Sequence, residues 1–201
     1  MNRKGIFGGT FDPIHNGHLH VAYEALYDLG LDKIIFVPSG NPPHKTEKLV
    51  TDSEIRYELV KKAIEDEKRF DVSSYEIHKS GLSYTYETLE HFNKIEPDTE
   101  WYFITGTDCL MELNSWKNIN RILNSCRFVV FNRSGYNRSE IMEQKKQLEK
   151  KYNAEIVYLD IPILDISSTN IRNKIREEKN ISYLIPKKVE RLLEKMNLYK
   201  Y

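Results

Sequence analysis

The chain has 201 residues, 40% hydrophobic and 30% charged, with 30 lysines and arginines set against 30 aspartates and glutamates. That length suits one domain with a full core, and a formal net charge of zero lacks the basic excess of a general polyanion binder, which disfavours nucleic acid as the main partner. No apolar run is long enough to span a bilayer, no signal peptide is evident, and Cys109 and Cys126 have neither metal nor redox spacing, so no membrane association and a cytoplasmic location are expected.

Along the chain, Gly5-Ile6-Phe7 reads as the end of a buried strand, and Val21, Ala22, Ala25, Leu26 and Leu29 then recur at helical spacing. A strand at 34–37 follows. Thr51-Asp52-Ser53-Glu54 has capping-box spacing and opens a helix to about residue 65. Strands are predicted at 70–72, 101–104, 128–131 and 156–159, and helices at 85–93, 139–152, 168–178 and 186–196. The alternation predicts an α/β fold, a parallel sheet flanked by helices. In such sheets ligands bind beyond the carboxyl ends of the strands, so the loops after strands are where site residues are sought.

The first of these loops is Gly8-Gly9-Thr10-Phe11-Asp12-Pro13-Ile14-His15-Asn16-Gly17-His18-Leu19. Glycines let the backbone turn sharply and approach a ligand, and the amides of the following helix start, near Gly17 and His18, attract anions. His15 and His18, three residues apart, face the same way on a helical turn, and both can donate hydrogen bonds to phosphate. The segment is neither a Walker loop nor a dinucleotide loop. A zinc site from His15, His18 and His20 is a competing reading, weakened by the lack of a Glu between paired histidines and of a cysteine cluster. Polar residues on a surface turn are another.

Later loops add candidates. Two prolines stiffen the segment Pro42-Pro43-His44-Lys45, so His44 and Lys45 stand at a fixed place or simply on an exposed connection. Gly106-Thr107-Asp108 pairs a glycine for close approach with a carboxylate that accepts from ribose hydroxyls or caps a helix. Ile166-Ser167-Ser168-Thr169-Asn170-Ile171-Arg172 sets cap residues at a helix start with an arginine one turn on, a second anion cradle.

Gly8 to Leu19 resembles the His-x-Gly-His signature of nucleotidyltransferases that transfer a nucleoside monophosphate, and Gly-Gly-Thr-Phe-Asp-Pro ahead of it makes the match specific. With Pro42-Pro43-His44-Lys45, Ser83-Tyr84-Thr85, Gly106-Thr107-Asp108, Trp116-Lys117 and Ile166 to Arg172, the chain resembles the bacterial nicotinate-mononucleotide adenylyltransferase family from Lys4 to about Tyr199. The resemblance implies a Rossmann-like nucleotidyltransferase fold with a small helical C-terminal region, residues 167–201 of a single domain. It implies transfer of AMP from ATP to nicotinate mononucleotide, by direct attack and without a covalent intermediate, with Mg²⁺ accompanying ATP.

Carried over by resemblance, His18, His15 and Arg172 would be catalytic. Gly8, Gly9, Thr10, Phe11, His15, His18, Ser168, Thr169 and Arg172 would bind ATP. His44, Lys45, Thr85, Gly106, Asp108, Trp116, Lys117 and Arg133 would bind the pyridine mononucleotide, and no protein metal site is expected. Trp116 is equally a residue that a core would use. Two positions depart from the family pattern: Thr107 stands where a smaller residue is usual and would crowd the nicotinate side, and Asn132-Arg133-Ser134-Gly135 lacks a proline. Nicotinamide mononucleotide and phosphopantetheine are rival acceptors, cytidylyl transfer a rival chemistry, a catalytically silent nucleotide sensor a rival class, and homo-oligomerisation stays open.

Overall fold

The computed structural model describes residues 2–41 and 50–200, so His44 and Lys45 lie outside the described residues. Six strands form one sheet: β1 (Asn2–Gly9), β2 (Lys33–Pro38), β3 (Phe70–Val72), β4 (Thr99–Gly106), β5 (Arg127–Phe131) and β6 (Ile156–Leu159). Every pairing is parallel and the order is β3-β2-β1-β4-β5-β6. The order reverses between β1 and β4, and the crevice at that reversal is where a doubly wound sheet opens to ligand. Gly8-Gly9 and Gly106 end the two strands that flank it.

All six strands expected from the apolar runs are present. Because neighbouring strand residues point to opposite faces, each run divides between two cores. Phe7, Ile34 and Phe36 face a cluster with α1 (Asn16–Asp28), α2 (Ser53–Ile64), α8 (Ser168–Arg176) and α9 (Lys187–Lys195). Ile6, Ile35 and Val37 face a second cluster with α4 (Thr85–Ile95), α6 (Ile119–Ser125) and α7 (Arg138–Tyr152). Ile171, Val189 and Leu193 bring the last two helices into the same core as β1. Three short helices that periodicity does not predict, α3 (Tyr75–His78), α5 (Thr107–Glu112) and α6, are too brief to show a 3.6-residue pattern.

The start of α2 differs by one residue from the expected capping box. Asp52 is the N-cap, its carboxylate accepting from the amides of Glu54 and Ile55 at 3.0 and 3.4 Å. One turn in, Arg56 is 1% exposed. Its guanidinium donates to the carbonyls of Thr51, Thr10 and Ser39 at 2.8, 2.7 and 2.6 Å, joining α2 to the loops after β1 and β2. A buried carbonyl without a partner costs about 1–3 kcal/mol. Arg56→Ala is therefore expected to lower unfolding free energy by at least about 3 kcal/mol in urea titrations. A loss below about 1 kcal/mol would show that water replaces the guanidinium.

Candidate active site

The loop after β1 turns back on itself immediately. Phe11 has φ 50° and its ring is buried against Phe7 and Phe36, so a Cβ at residue 9 would stand 2.8 Å from that ring; this is the constraint that requires Gly9. Asp12-Pro13 is a cis peptide. His15, in extended backbone, is the N-cap of α1. The expected alignment of the two histidines is present: the His15 and His18 rings stack with centroids 3.7 Å apart and planes at 24°.

One hydrogen bond sets the tautomer. The His15 amide donates to His18 Nδ1 at 3.2 Å, so Nδ1 carries no proton and Nε2–H is left as the donor. Phe11 meets the His18 ring edge-on at 5.0 Å and fixes its plane. Burial, followed by the Arg133 charge, lowers the His15 pKa from 6.5 to about 3. Burial also holds His18 well below 6.5, with His15 and Arg133 adding to the effect. Both imidazoles are neutral donors at pH 7. One anion-cradle expectation is corrected: the His18 amide is already bonded to His15 O at 2.9 Å, because the helix begins one residue earlier than the motif suggests.

Ser167 caps α8, its hydroxyl accepting from Asn170 N at 3.2 Å. Ser168 Oγ donates to Pro13 O at 2.9 Å, so its proton is committed to the first loop. Arg172 donates through one terminal nitrogen to Asp12 O at 2.6 Å and through the other to Thr169 Oγ1 at 3.3 Å. With five N–H groups in a planar fork, it keeps donors for a ligand while gripping the loop.

These groups line a cleft of about 500 Å³ that includes Gly8, Gly9, Thr10, Phe11, His15, His18, Ser168, Thr169 and Arg172. Gly106, Asp108 and Arg133, assigned by resemblance to the pyridine side, also line this cleft. Arg133 pairs with Asp108 Oδ2 at 3.2 Å, while Oδ1 is buried without a hydrogen bond. A Cβ at Gly106 would meet Asp108 Oδ1 at 2.5 Å and Arg133 Cδ at 2.7 Å, so that glycine makes room for the pair.

A second cleft, about 390 Å³, is lined by Thr85, Trp116, Lys117, Tyr84, Glu76 and Thr88 among others. Trp116 is partly buried with its ring edge toward Phe103 and Phe128, so it belongs both to the core margin and to the cleft wall. Lys117 Nζ stands 4.2 Å from the Tyr84 ring centre. Glu76 has no signal in the sequence; its carboxyl accepts from Thr88 Oγ1 at 2.6 Å, and burial raises its pKa. Thr107, expected to crowd this side, is fully buried and lines neither cleft; as the first residue of α5 it points inward.

The two clefts share Gly8, Gly9, Thr10, Thr105 and Cys109. Cys109 has a thiol that burial pushes up to about 11, so it stays protonated and is a poor nucleophile there. His20 Nε2 is 2.8 Å from Pro162 O, and among the described residues no group of three His, Cys, Asp or Glu side chains is placed to hold a metal.

A strand-end site of histidines and arginine at the reversal of a doubly wound sheet is the arrangement of a nucleotidyltransferase, and a cytidylyltransferase-like family model matches residues 6–174. The chain is 64% identical over 200 residues to a probable nicotinate-nucleotide adenylyltransferase of Clostridium novyi and 56% identical over 203 residues to one of Clostridium kluyveri, with 100% of each chain covered in both cases. The chain belongs to the nicotinate-nucleotide adenylyltransferase family. Its fold is shared by Plasmodium falciparum nicotinic acid mononucleotide adenylyltransferase, solved in complexes with APC and with NaAD. Those structures match with a TM-score of 0.79 at 20% and 21% identity, covering 100% of this chain and 98% of the other. Among the described residues no helix is long and apolar enough to cross a membrane.

The neutral histidines carry a pH consequence. In the unfolded chain an imidazole binds its proton near 6.5, whereas folded His15 does so near 3, so the unfolded state binds more protons between those values. This contribution to stability is complete above about pH 6.5 and is lost as pH falls toward 3. Unfolding titrations of His15→Gln from about pH 6 to 4 should show a dependence shallower than wild type by about 1.4 kcal/mol per pH unit. Equal slopes would mean that His15 is protonated in the folded protein.

Proposed function

We propose that this chain transfers AMP from ATP to nicotinate mononucleotide, giving nicotinate adenine dinucleotide and pyrophosphate on the route to NAD. The observation that carries this reading is the junction of the clefts: one rich in phosphate-binding groups, the other walled by aromatic rings, meeting over Gly8-Gly9-Thr10. ATP occupies the first cleft with its α-phosphorus at the junction. The mononucleotide occupies the second with its phosphate pointing there.

An oxygen of the acceptor phosphate attacks the α-phosphorus; the new P–O bond forms as the bond to the bridging α,β-oxygen breaks, and pyrophosphate leaves with that electron pair. Both reactants are anions, so positioning and charge stabilisation do the catalytic work. His18 donates through Nε2–H to the α-phosphate, and His15 and Thr10 contact the neighbouring phosphates. Arg172, with Ser168 and Thr169 at the start of α8, grips the β and γ groups. Asp108 and Arg133 belong in this reading to the ATP side, the carboxylate accepting from ribose hydroxyls, because they line that cleft. His44 and Lys45 would hold acceptor phosphate.

Mg²⁺ bound with the triphosphate would supply positive charge at its oxygens. In this reading the ion is carried largely by phosphate and water. At the pyridine end, Trp116 and Tyr84 offer ring faces, Thr85 a hydroxyl, and Lys117 a cation in a mostly apolar cleft, which favours a carboxylate over a carboxamide. The cytoplasmic location rests on two unpaired cysteines.

The decisive assay is pyrophosphate release with ATP and Mg²⁺, offering nicotinate mononucleotide, nicotinamide mononucleotide and phosphopantetheine at matched concentrations. The nicotinate compound should dominate; a preference for either other acceptor keeps the chemistry and overturns the pocket reading, and silence with all three favours the sensor. His18→Ala should lose at least about a hundredfold in kcat while remaining folded, the usual scale for one transition-state donor. Near-normal turnover would take the α-phosphate role away from His18. Trp116→Ala should raise KM for the pyridine nucleotide more than KM for ATP. An equal rise in both would make it a core residue.

A further inference from the structure

Asp12 is the one acidic side chain in the phosphate loop, 6% exposed, in a cleft that receives polyanions. Its carboxylate is occupied from an unexpected direction. Tyr199, beyond α9 and in left-handed backbone with φ 64°, donates its hydroxyl to Asp12 Oδ1 at 2.6 Å across 187 residues of sequence. The amide of Thr51 approaches Oδ2 at 3.5 Å. Arg172 NH1 lies 3.8 Å from that same Oδ2 but is bonded at 2.6 Å to the backbone carbonyl of Asp12 instead.

We propose that Tyr199 is a positioning residue for the ATP phosphates: its hydroxyl holds the Asp12 carboxylate away from Arg172, so that the guanidinium stays on the Asp12 carbonyl with its remaining donors directed into the cleft. The proposal rests on the reading of Arg172 as an ATP phosphate ligand. A charged pair with a carboxylate is stronger than a hydrogen bond to a neutral carbonyl, so Arg172 needs a reason not to close the gap to Oδ2. The carboxylate already has a hydroxyl on one oxygen and an amide on the other. Remove the hydroxyl, and the buried carboxylate recovers its lost partner by drawing in Arg172, whose NH1 already stands 3.8 Å from Oδ2; the cleft then loses a phosphate donor. The C-terminal turn thus acts on catalysis without touching a substrate.

Tyr199→Phe deletes a single oxygen and keeps the ring that packs against the core. Steady-state constants for both substrates and the thermal midpoint are measured for wild type, Y199F, R172A and the double variant. The expected result is a rise of about fivefold to tenfold in KM for ATP in Y199F, with KM for nicotinate mononucleotide changed less than about twofold. The double variant should bind ATP no worse than R172A alone, since Tyr199 acts through that arginine. A raised ATP KM in R172A with wild-type constants in Y199F overturns the positioning role and leaves the phosphate reading standing. An unchanged ATP KM in R172A overturns both. Additive losses show that Tyr199 acts by another route, and equal rises for the two substrates with a lowered midpoint show that it only anchors the C-terminal turn; either result sinks the proposal.

Discussion

A loop that aims hydrogen-bond donors at phosphate must send its carbonyls elsewhere, and buried carbonyls must find partners. That requirement organises the segment between β1 and α1. Gly9 O accepts from the Ser39 amide, Thr10 O from Arg56, Asp12 O from Arg172, Pro13 O from Ser168, and His15 O from the amides of His18 and Leu19. The donors come from the loop after β2, from α2 and from α8. Each element that packs around the loop is therefore tied to its shape, and the shape fixes where Nε2 of His18 points.

The same network assigns charge sparingly. Burial keeps both histidines neutral, so they can donate without carrying a fixed positive charge, and their proton affinity falls further because each lies near Arg133. Permanent charge is left to arginines, which cannot lose it. In the reading proposed above, a triphosphate beside the stacked imidazoles would raise both proton affinities. On that reading the histidines would gain donor strength where charge develops beside them.

Much of this was legible in the chain because it is local. The six strands are short apolar runs between turn residues; the glycine-rich loop follows β1 directly, the Ser167 cap opens α8 beyond β6, and glycine spacing and cap residues announce both. The stacking of His15 on His18 follows from their three-residue spacing at a helix start. What sequence could not reveal depends on distant pairings. Arg56 looks like any exposed helix arginine until α2 packs over two loops, and Glu76 sits on a four-residue helix too short to carry a periodic signal. Thr107, a departure from the family pattern, was expected to crowd the nicotinate side, yet as the first residue of α5 it is fully buried and lines neither cleft. Gly106, Asp108 and Arg133 line the first cleft while Thr85, Trp116 and Lys117 line the second, a division that depends on where distant strands end and that sequence alone does not show.

A chain of zero net charge that handles two polyanions shows how little the overall balance constrains the site. Thirty acidic residues offset thirty basic ones, but many pair at the surface, as Arg121 with Glu90 and Lys188 with Glu65 do at 2.5 and 2.6 Å. Such pairs are screened by solvent and cancel at a distance. Inside the first cleft the balance is local: Arg172 and Arg133 stand there with Asp12, Asp108 and the exposed Asp165, and the first two carboxylates are already bonded to a partner from the protein. The field that a small anionic substrate meets is set by which charges are left with donors to spare, and those are the two arginines.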